Sequence, residues 1–223
     1  MLKRMLLGIA TVFVLAGAAV AGPLGDAWEA FDRKDYATAF QYFEAAADNG
    51  DATAQERLGY MYRFGLGVPQ DYSKAVRWYQ VAASQGYSKA QAYLGLMYEQ
   101  DLENEDEAVR WYRDAAASDQ EYQWEASRSI LRLAAKGNKK AIEWVQKDGE
   151  QGNARSMIEL GYLNQEGKFV PQNYILAHKW FNLASALGNT HGEAKRDEVA
   201  AAMTSDQIVE AQRMARLARG GQA

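Results

Sequence analysis

Small and apolar residues recur along the chain at helical spacing, and the block they form itself recurs. Between Asp51 and Gly86, the residues Ala54, Leu58, Gly59 and Tyr62 fall at i, i+4, i+5 and i+8, one face of a helix. Phe64-Gly65-Leu66-Gly67-Val68-Pro69 then breaks that helix, with glycine suited to left-handed backbone and proline blocking continuation. A second stripe follows: Ala75, Trp78, Tyr79, Ala82 and Ala83. Asp71 is placed to cap its start, and Gly86 ends it. The block therefore predicts helix–turn–helix. Gly59 in a helix interior costs about 1 kcal/mol relative to alanine, so its presence predicts close approach by a neighbouring element.

The same block repeats with edits. Tyr42, Trp78, Trp111, Trp144 and Trp180 are separated by 36, 33, 33 and 36 residues, and eight residues after each stand Gly50, Gly86, Asp119, Gly152 and Gly188. A near-constant period of this length is the signature of stacked supersecondary units. Residues 87–119 carry Ala90, Leu94, Gly95 and Tyr98, then Ala108, Trp111, Tyr112, Ala115 and Ala116, across a shorter, acidic connection. Residues 153–188 restore the full length, and Val170-Pro171-Gln172-Asn173-Tyr174 nearly copies Val68-Pro69-Gln70-Asp71-Tyr72. Residues 26–50 form a compact version, and residues 120–152 have Ile130 and Leu131 in place of the Leu-Gly pair. After Gly188 comes one more helix, and Thr204-Ser205-Asp206-Gln207 reads as a capping box that opens a last helix through Ala211, Met214 and Leu217. The expected fold is an all-α solenoid in a single domain over 22–223. It has about five hairpins (26–50, 51–86, 87–119, 120–152 and 153–188) and a C-terminal capping helix pair at 189–223.

The repeated tryptophans are expected in the core, where each contributes on the order of 4–6 kcal/mol of apolar transfer before entropy is subtracted. Trp28 and Trp124 lie outside that register, and Trp124, in a polar stretch, is expected to be exposed. On this reading Trp111→Ala costs about 3–5 kcal/mol as a core truncation, and Trp124→Ala far less.

The N-terminus reads differently from the repeats. Lys3 and Arg4 precede an apolar run from Met5 to Val14, and Ala19-Val20-Ala21 offers a small-x-small cleavage site. That is the layout of a signal peptide over residues 1–21, removed near Gly22; a retained amphipathic or anchoring helix is the alternative. The expectation is a periplasmic or secreted chain with no stable membrane span after cleavage. Removing the leader takes two of the 25 Lys and Arg, so the net charge moves from −4 to −6. That balance disfavours nucleic acid or an anionic membrane surface as partner. With no cysteine the chain has no disulfide, thiolate metal site, cysteine nucleophile or lipid-attachment cysteine.

Candidate chemistry is sparse. The sequence has no H-E-x-x-H, G-x-S-x-G, S-x-x-K or P-loop motif, and Gly65-x-Gly67 follows no strand. His178 and His191, the only two histidines, have no cysteine or dense carboxylate cluster beside them, and His178 is expected on a polar helix face. The acidic run Asp101 to Glu107 lacks the alternating ligands and central glycine of an EF-hand loop. It reads instead as a solvated connection whose charge favours the start of the next helix. No catalytic, cofactor-binding or metal-ligating residue is expected.

The pattern A-x-x-x-L-G-x-x-Y, then G-x-G-V-x-x-D, then K-A-x-x-W-Y-x-x-A-A-x-x-G, running from Ala54 to Gly86, resembles the Sel-1-like repeat, a longer-period relative of the tetratricopeptide repeat. The segment from Met203 to Ile208 onward resembles the C-terminal capping helix of exported bacterial members. The resemblance implies a non-enzymatic adaptor or regulator that binds a protein or peptide of the bacterial envelope. It also admits a cell-wall-active (peptidoglycan or lactam) binder or hydrolase, or a secreted effector that binds a host protein. In tetratricopeptide stacks the first helices line a concave groove. The residues so implied here are Glu56, Tyr60 and Arg63; Lys89, Leu96 and Glu99; and Arg155, Tyr162 and Gln165. The bland alternative is that these are simply solvated helix positions.

Overall fold

Short polar side chains mark where most of the helices begin. Asp51, Asp71, Asn104, Asn138, Asn153, Asn173 and Asn189 each accept a hydrogen bond from a backbone N–H in the first turn that follows. The expected capping box closes in both directions: Gln207 N–H donates to Thr204 Oγ1 at 3.3 Å, and Thr204 N–H donates to Gln207 Oε1 at 2.9 Å. Gly65 and Gly167, with φ of 68° and 67°, end the two helices that precede the long Val-Pro-Gln connections.

These signals give, in a computed structural model that describes residues 23–118 and 122–220, twelve helices and no strand among the described residues. They are α1 (Pro23–Asp32), α2 (Tyr36–Asp48), α3 (Ala52–Phe64), α4 (Tyr72–Ser84), α5 (Ser88–Gln100) and α6 (Glu105–Ala116), followed by α7 (Gln123–Ala135), α8 (Lys139–Glu150), α9 (Ala154–Glu166), α10 (Tyr174–Ala186), α11 (Thr190–Ala200) and α12 (Ser205–Gly220). Each helix packs chiefly on its neighbours in sequence, as in a helical-repeat stack, except that α12 folds back onto α10. The expected leader over 1–21 lies outside the described residues. Among the described residues no helix is long and apolar enough to cross a membrane.

Within a hairpin the two helices are set by one contact. A Cβ added at Gly59 would lie 2.7 Å from Cδ1 of Tyr79, and one at Gly95 would lie 2.5 Å from Cδ1 of Tyr112. At Gly161 it would run into the ring of Phe181. The close approach that Gly59 predicts is therefore an aromatic ring lying flat on bare helix backbone. The fourth hairpin changes both partners together: Leu131 takes the glycine's place, and Val145 takes the ring's.

The tryptophan register needs correcting. Trp180 is buried, but Trp78, Trp111 and Trp144 are only partly so, and Tyr42 is exposed. The position one residue later is the buried one: Phe43, Tyr79, Tyr112, Val145 and Phe181 are all at most 2% exposed. The core-facing direction of each second helix passes through that later residue. Trp78 instead packs against the core of the first hairpin and Trp111 against that of the second, so these indoles cover seams between units. Trp124, half exposed, stands where the sequence puts it. His178 is a further correction: it is 2% exposed, not on a polar face.

Successive hairpins are joined by polar links between first helices. Lys89 Nζ of α5 lies 3.4 Å from Glu56 Oε2 of α3, and Arg63 Nη2 lies 2.7 Å from Asp101 Oδ2 at the end of α5. Arg132 of α7 grips Glu99 of α5 with two bonds, 2.6 and 2.8 Å, and Gln165 of α9 donates to Glu198 of α11 at 3.4 Å. Glu99 also accepts from the Tyr112 hydroxyl at 3.0 Å, so one carboxylate fixes the packing ring of its own hairpin and the guanidinium of the next. The acidic connection serves the same end. Glu105, Asp106 and Glu107 occupy the first turn of α6, and Asp106 meets Lys140 of α8 at 3.1 Å, which lowers the aspartate's pKa.

Two predictions follow from this packing, both read by urea denaturation. Gly95→Ala is expected to cost about 1–3 kcal/mol by overpacking. Tyr112→Ala should cost about 3–5 kcal/mol, more than Trp111→Ala; the reverse order would restore the tryptophan to the core. For the bridge between units, a double-mutant cycle on Glu99→Gln and Arg132→Gln should give a coupling of about 1–3 kcal/mol. Additive effects would mean that the pair is ornamental.

Candidate partner-binding face

The first helices carry aromatic rings and cations on a shared face, and these rings touch from one hairpin to the next. Trp28 and Phe31 of α1 stand 6.1 Å apart, centroid to centroid, and Phe31 meets Tyr60 of α3 at 6.4 Å. Tyr60 packs on Phe64 at 4.6 Å, and Phe64 is 50% exposed at the end of its helix. The guanidinium of Arg57 sits 4.5 Å from the Trp28 ring and 5.6 Å from the Tyr60 ring, and Arg63 lies 5.0 Å from the Phe64 ring. On α5, Lys89 lies 5.7 Å from the ring of Tyr93, which in turn meets Tyr122 at the start of α7 at 6.2 Å.

Beneath this band is an unusual carboxylate. Glu56 has no exposed surface, and neither of its oxygens accepts a hydrogen bond, although Arg57 Nε and Lys89 Nζ each lie 3.4 Å away. Burial raises its pKa, against the opposing pull of those two cations. Burial also raises the pKa of the Tyr79 and Tyr93 hydroxyls, and the Glu56 charge pushes both further in the same direction. The Tyr79 hydroxyl is itself buried without a partner.

Of the nine groove residues implied by the repeat, the structure uses several internally. Glu56 and Arg63 are buried in ion pairs, at 0% and 6% exposed, rather than facing an open groove as expected. The Glu99 side chain is 7% exposed and committed to Arg132 and Tyr112. Tyr60, Lys89 and Leu96 are partly exposed, the first two within the aromatic band. At the other end, exposed Arg155 of α9 lies 5.2 Å from the Trp124 ring, with Arg128 on the same ring at 5.4 Å. The Tyr162 hydroxyl bonds His191 Nε2 at 2.6 Å, and Gln165 reaches Glu198. The face thus divides into an aromatic-cationic half on α1, α3 and α5 and a more polar half on α9 and α11.

The sequence reading missed Trp28, Phe31, Arg57, Phe64, Tyr93 and Arg132. Its register came from positions flanking the Leu-Gly pair, and α1 and α7 have no such pair from which to count. Arg57 and Tyr93 each stand directly before the leucine of the pair, and Phe64 at the end of its helix, positions that the count skips. The signal for them lay in composition: aromatic and basic residues are concentrated on α3.

Comparison with known proteins bears on this arrangement. The Sel1 repeat profile matches residues 31–51, 52–87, 88–119 and 154–189, and it passes over the hairpin in which Leu131 replaces glycine. No curated protein matches the chain. A Sel1 repeat protein from Oxalobacter formigenes is 26% identical over 84% of this chain and 83% of its own, with a TM-score of 0.47. A protective antigen present in uropathogenic Escherichia coli strains, displaying an SLR fold, is 22% identical, with a TM-score of 0.36 over 87% of this chain and 61% of its own. Sel1 repeats generally mediate protein–protein interaction and are typically non-catalytic. With its repeats and the glycine–aromatic contacts inside them, the chain belongs to the Sel1 repeat family.

Proposed function

We propose that this protein is an exported adaptor, acting without catalysis in the bacterial periplasm, that holds a segment of an envelope protein against its first-helix face. The observation that carries the reading is the band of Trp28, Phe31, Tyr60, Phe64 and Tyr93 with Arg57 and Lys89 among the rings. Phe64 leaves half its surface in water, whereas Glu56, Arg63 and Glu99 below and beside it are tied into the scaffold. Rigid aromatics flanked by Arg are the residue types that anchor protein interfaces. Arg57 and Lys89 already face Glu56 and hold the rings in place, so the band suits a partner segment led by apolar side chains. Export rests on the basic, apolar and small-residue order of positions 1–21.

The test begins with crosslinking the mature protein in its native cells and identifying the partner. Phe64→Ala is then expected to weaken binding of that purified partner by tenfold or more, as loss of an interface anchor worth about 2 kcal/mol would. Thermal melting should stay close to wild type because Phe64 is already half exposed. Unchanged affinity in both Phe64→Ala and Trp28→Ala would remove the band from the interface.

A further inference from the structure

At the opposite end of the molecule, α10, α11 and α12 border an open pocket of about 380 Å³, lined by polar and basic side chains together with Ala200 and Ile208. Its wall on α10 is formed by His178 and Asn182, one turn apart. Arg196 and Asp197 contribute from α11, and Arg216 and Arg219 from the last turns of α12. The three arginines differ in one respect. Arg196 is occupied: its Nε and Nη2 lie 2.8 and 2.7 Å from Asp197 Oδ1, and Glu193 is 3.9 Å away. Arg216 and Arg219 are exposed and have no carboxylate within ion-pair distance among the described residues, so the residues lining the pocket, three arginines and one aspartate, carry an excess of two positive charges.

Placement near the end of α12 accounts for part of this, since cations near a helix C-terminus are favoured by its dipole. It does not account for His178. That ring is 2% exposed, lines the cavity, and leaves Nδ1 without a hydrogen-bond partner. A buried polar atom left unpaired is costly, and native structures rarely keep one without a reason. Two free guanidinium groups offer fork-like donors of the geometry that phosphate oxygens accept, and the ring adds a further donor when it is protonated. The volume exceeds what a bare phosphate ion requires, which leaves room for an organic group attached to it.

We propose that this cavity is a second binding site, separate from the aromatic face, which takes a phosphate-bearing ligand through Arg216, Arg219 and His178. Carbohydrate or glycerol phosphates and the headgroup of a phospholipid share this chemistry. The state of His178 makes the site pH-sensitive. Burial holds its pKa below the ordinary histidine value, with the charge of Arg196 acting in the same direction and Asp197 opposing it; Arg216 and Arg219 face it from α12. A bound phosphate reverses that balance, favouring the protonated ring. Protonation of the ring therefore favours binding as pH falls towards neutrality, until the ester takes up its own second proton near pH 6.

The chain has only two histidines, so their ring resonances form a simple NMR reporter, and His191 serves as the internal control because Tyr162 holds it. Titration of the full mature chain with glycerol 3-phosphate should move the His178 ring signals and leave those of His191 in place. The double substitution R216Q/R219Q should weaken the midpoint by about tenfold or more without altering thermal melting. Binding at pH 7, where the ester keeps most of its second charge, should be tighter than at pH 8. Retention on phosphatidic acid vesicles, with none on phosphatidylcholine vesicles, would assign the phosphate to a lipid headgroup. Response to glycerol 3-phosphate alone would assign it to a soluble ester. A His178 signal that stays fixed up to about 10 mM of inorganic phosphate and of glycerol 3-phosphate, or equal midpoints for wild type and R216Q/R219Q, would overturn the site.

Discussion

Helix backbone without a side chain lies directly against an aromatic ring in three of the hairpins, at Gly59 on Tyr79, Gly95 on Tyr112 and Gly161 on Phe181. Most of the remaining architecture depends on how close that contact lets the two helices come. A methyl group there would displace a ring that is fully buried or nearly so. In the third hairpin the ring is also tethered at its far end, since the Tyr112 hydroxyl bonds Glu99. The glycine costs helix propensity of about 1 kcal/mol, which dense packing of a large ring offsets. Because the ring comes from the second helix and the glycine from the first, the contact fixes the helix pair within each of these three hairpins.

Neighbouring units are then aligned by charge. The links Glu56–Lys89, Arg63–Asp101 and Glu99–Arg132 all run between first helices, so the face they share is held in register from one hairpin to the next. Side chains spent in this way are unavailable to a partner. What the face offers outward is the aromatic surface around Tyr60 and Phe64, held on a frame in which Arg57, Arg63 and Lys89 are paired with carboxylates. The opposite end has a different chemistry, with basic side chains of α12 facing a buried histidine across a polar cavity. A helical-repeat chain can in this way present two distinct surfaces on one continuous scaffold.

Much of this was legible in the sequence, because the repeat prints its spacing directly. The hairpins, the Asp71 cap, the capping box at Thr204 and Gln207 and the need for close approach at Gly59 all follow from local rules and are all present. The error in the tryptophan register has a physical origin. Trp78 and Tyr79 are adjacent, and a stripe of five positions fixes the core-facing direction only to within about one residue. The larger ring was assigned to the core, whereas the structure places it over the seam. The site residues were harder to read for another reason. Whether Glu56 points at a partner or at Lys89 depends on the offset between adjacent hairpins, which periodicity within one hairpin does not encode. His178 was misplaced on the same ground, since its burial comes from helices that follow the last full repeat.

Native-state hydrogen exchange on wild-type protein and on Gly59→Ala tests the central claim most directly. If the glycine–ring contact couples the two helices of a hairpin, protection in α3 and α4 falls in step in the variant, by a larger factor than in the distant α9 and α10. Faster exchange confined to α3, with α4 unchanged, would show that the helices of a hairpin are held by something else.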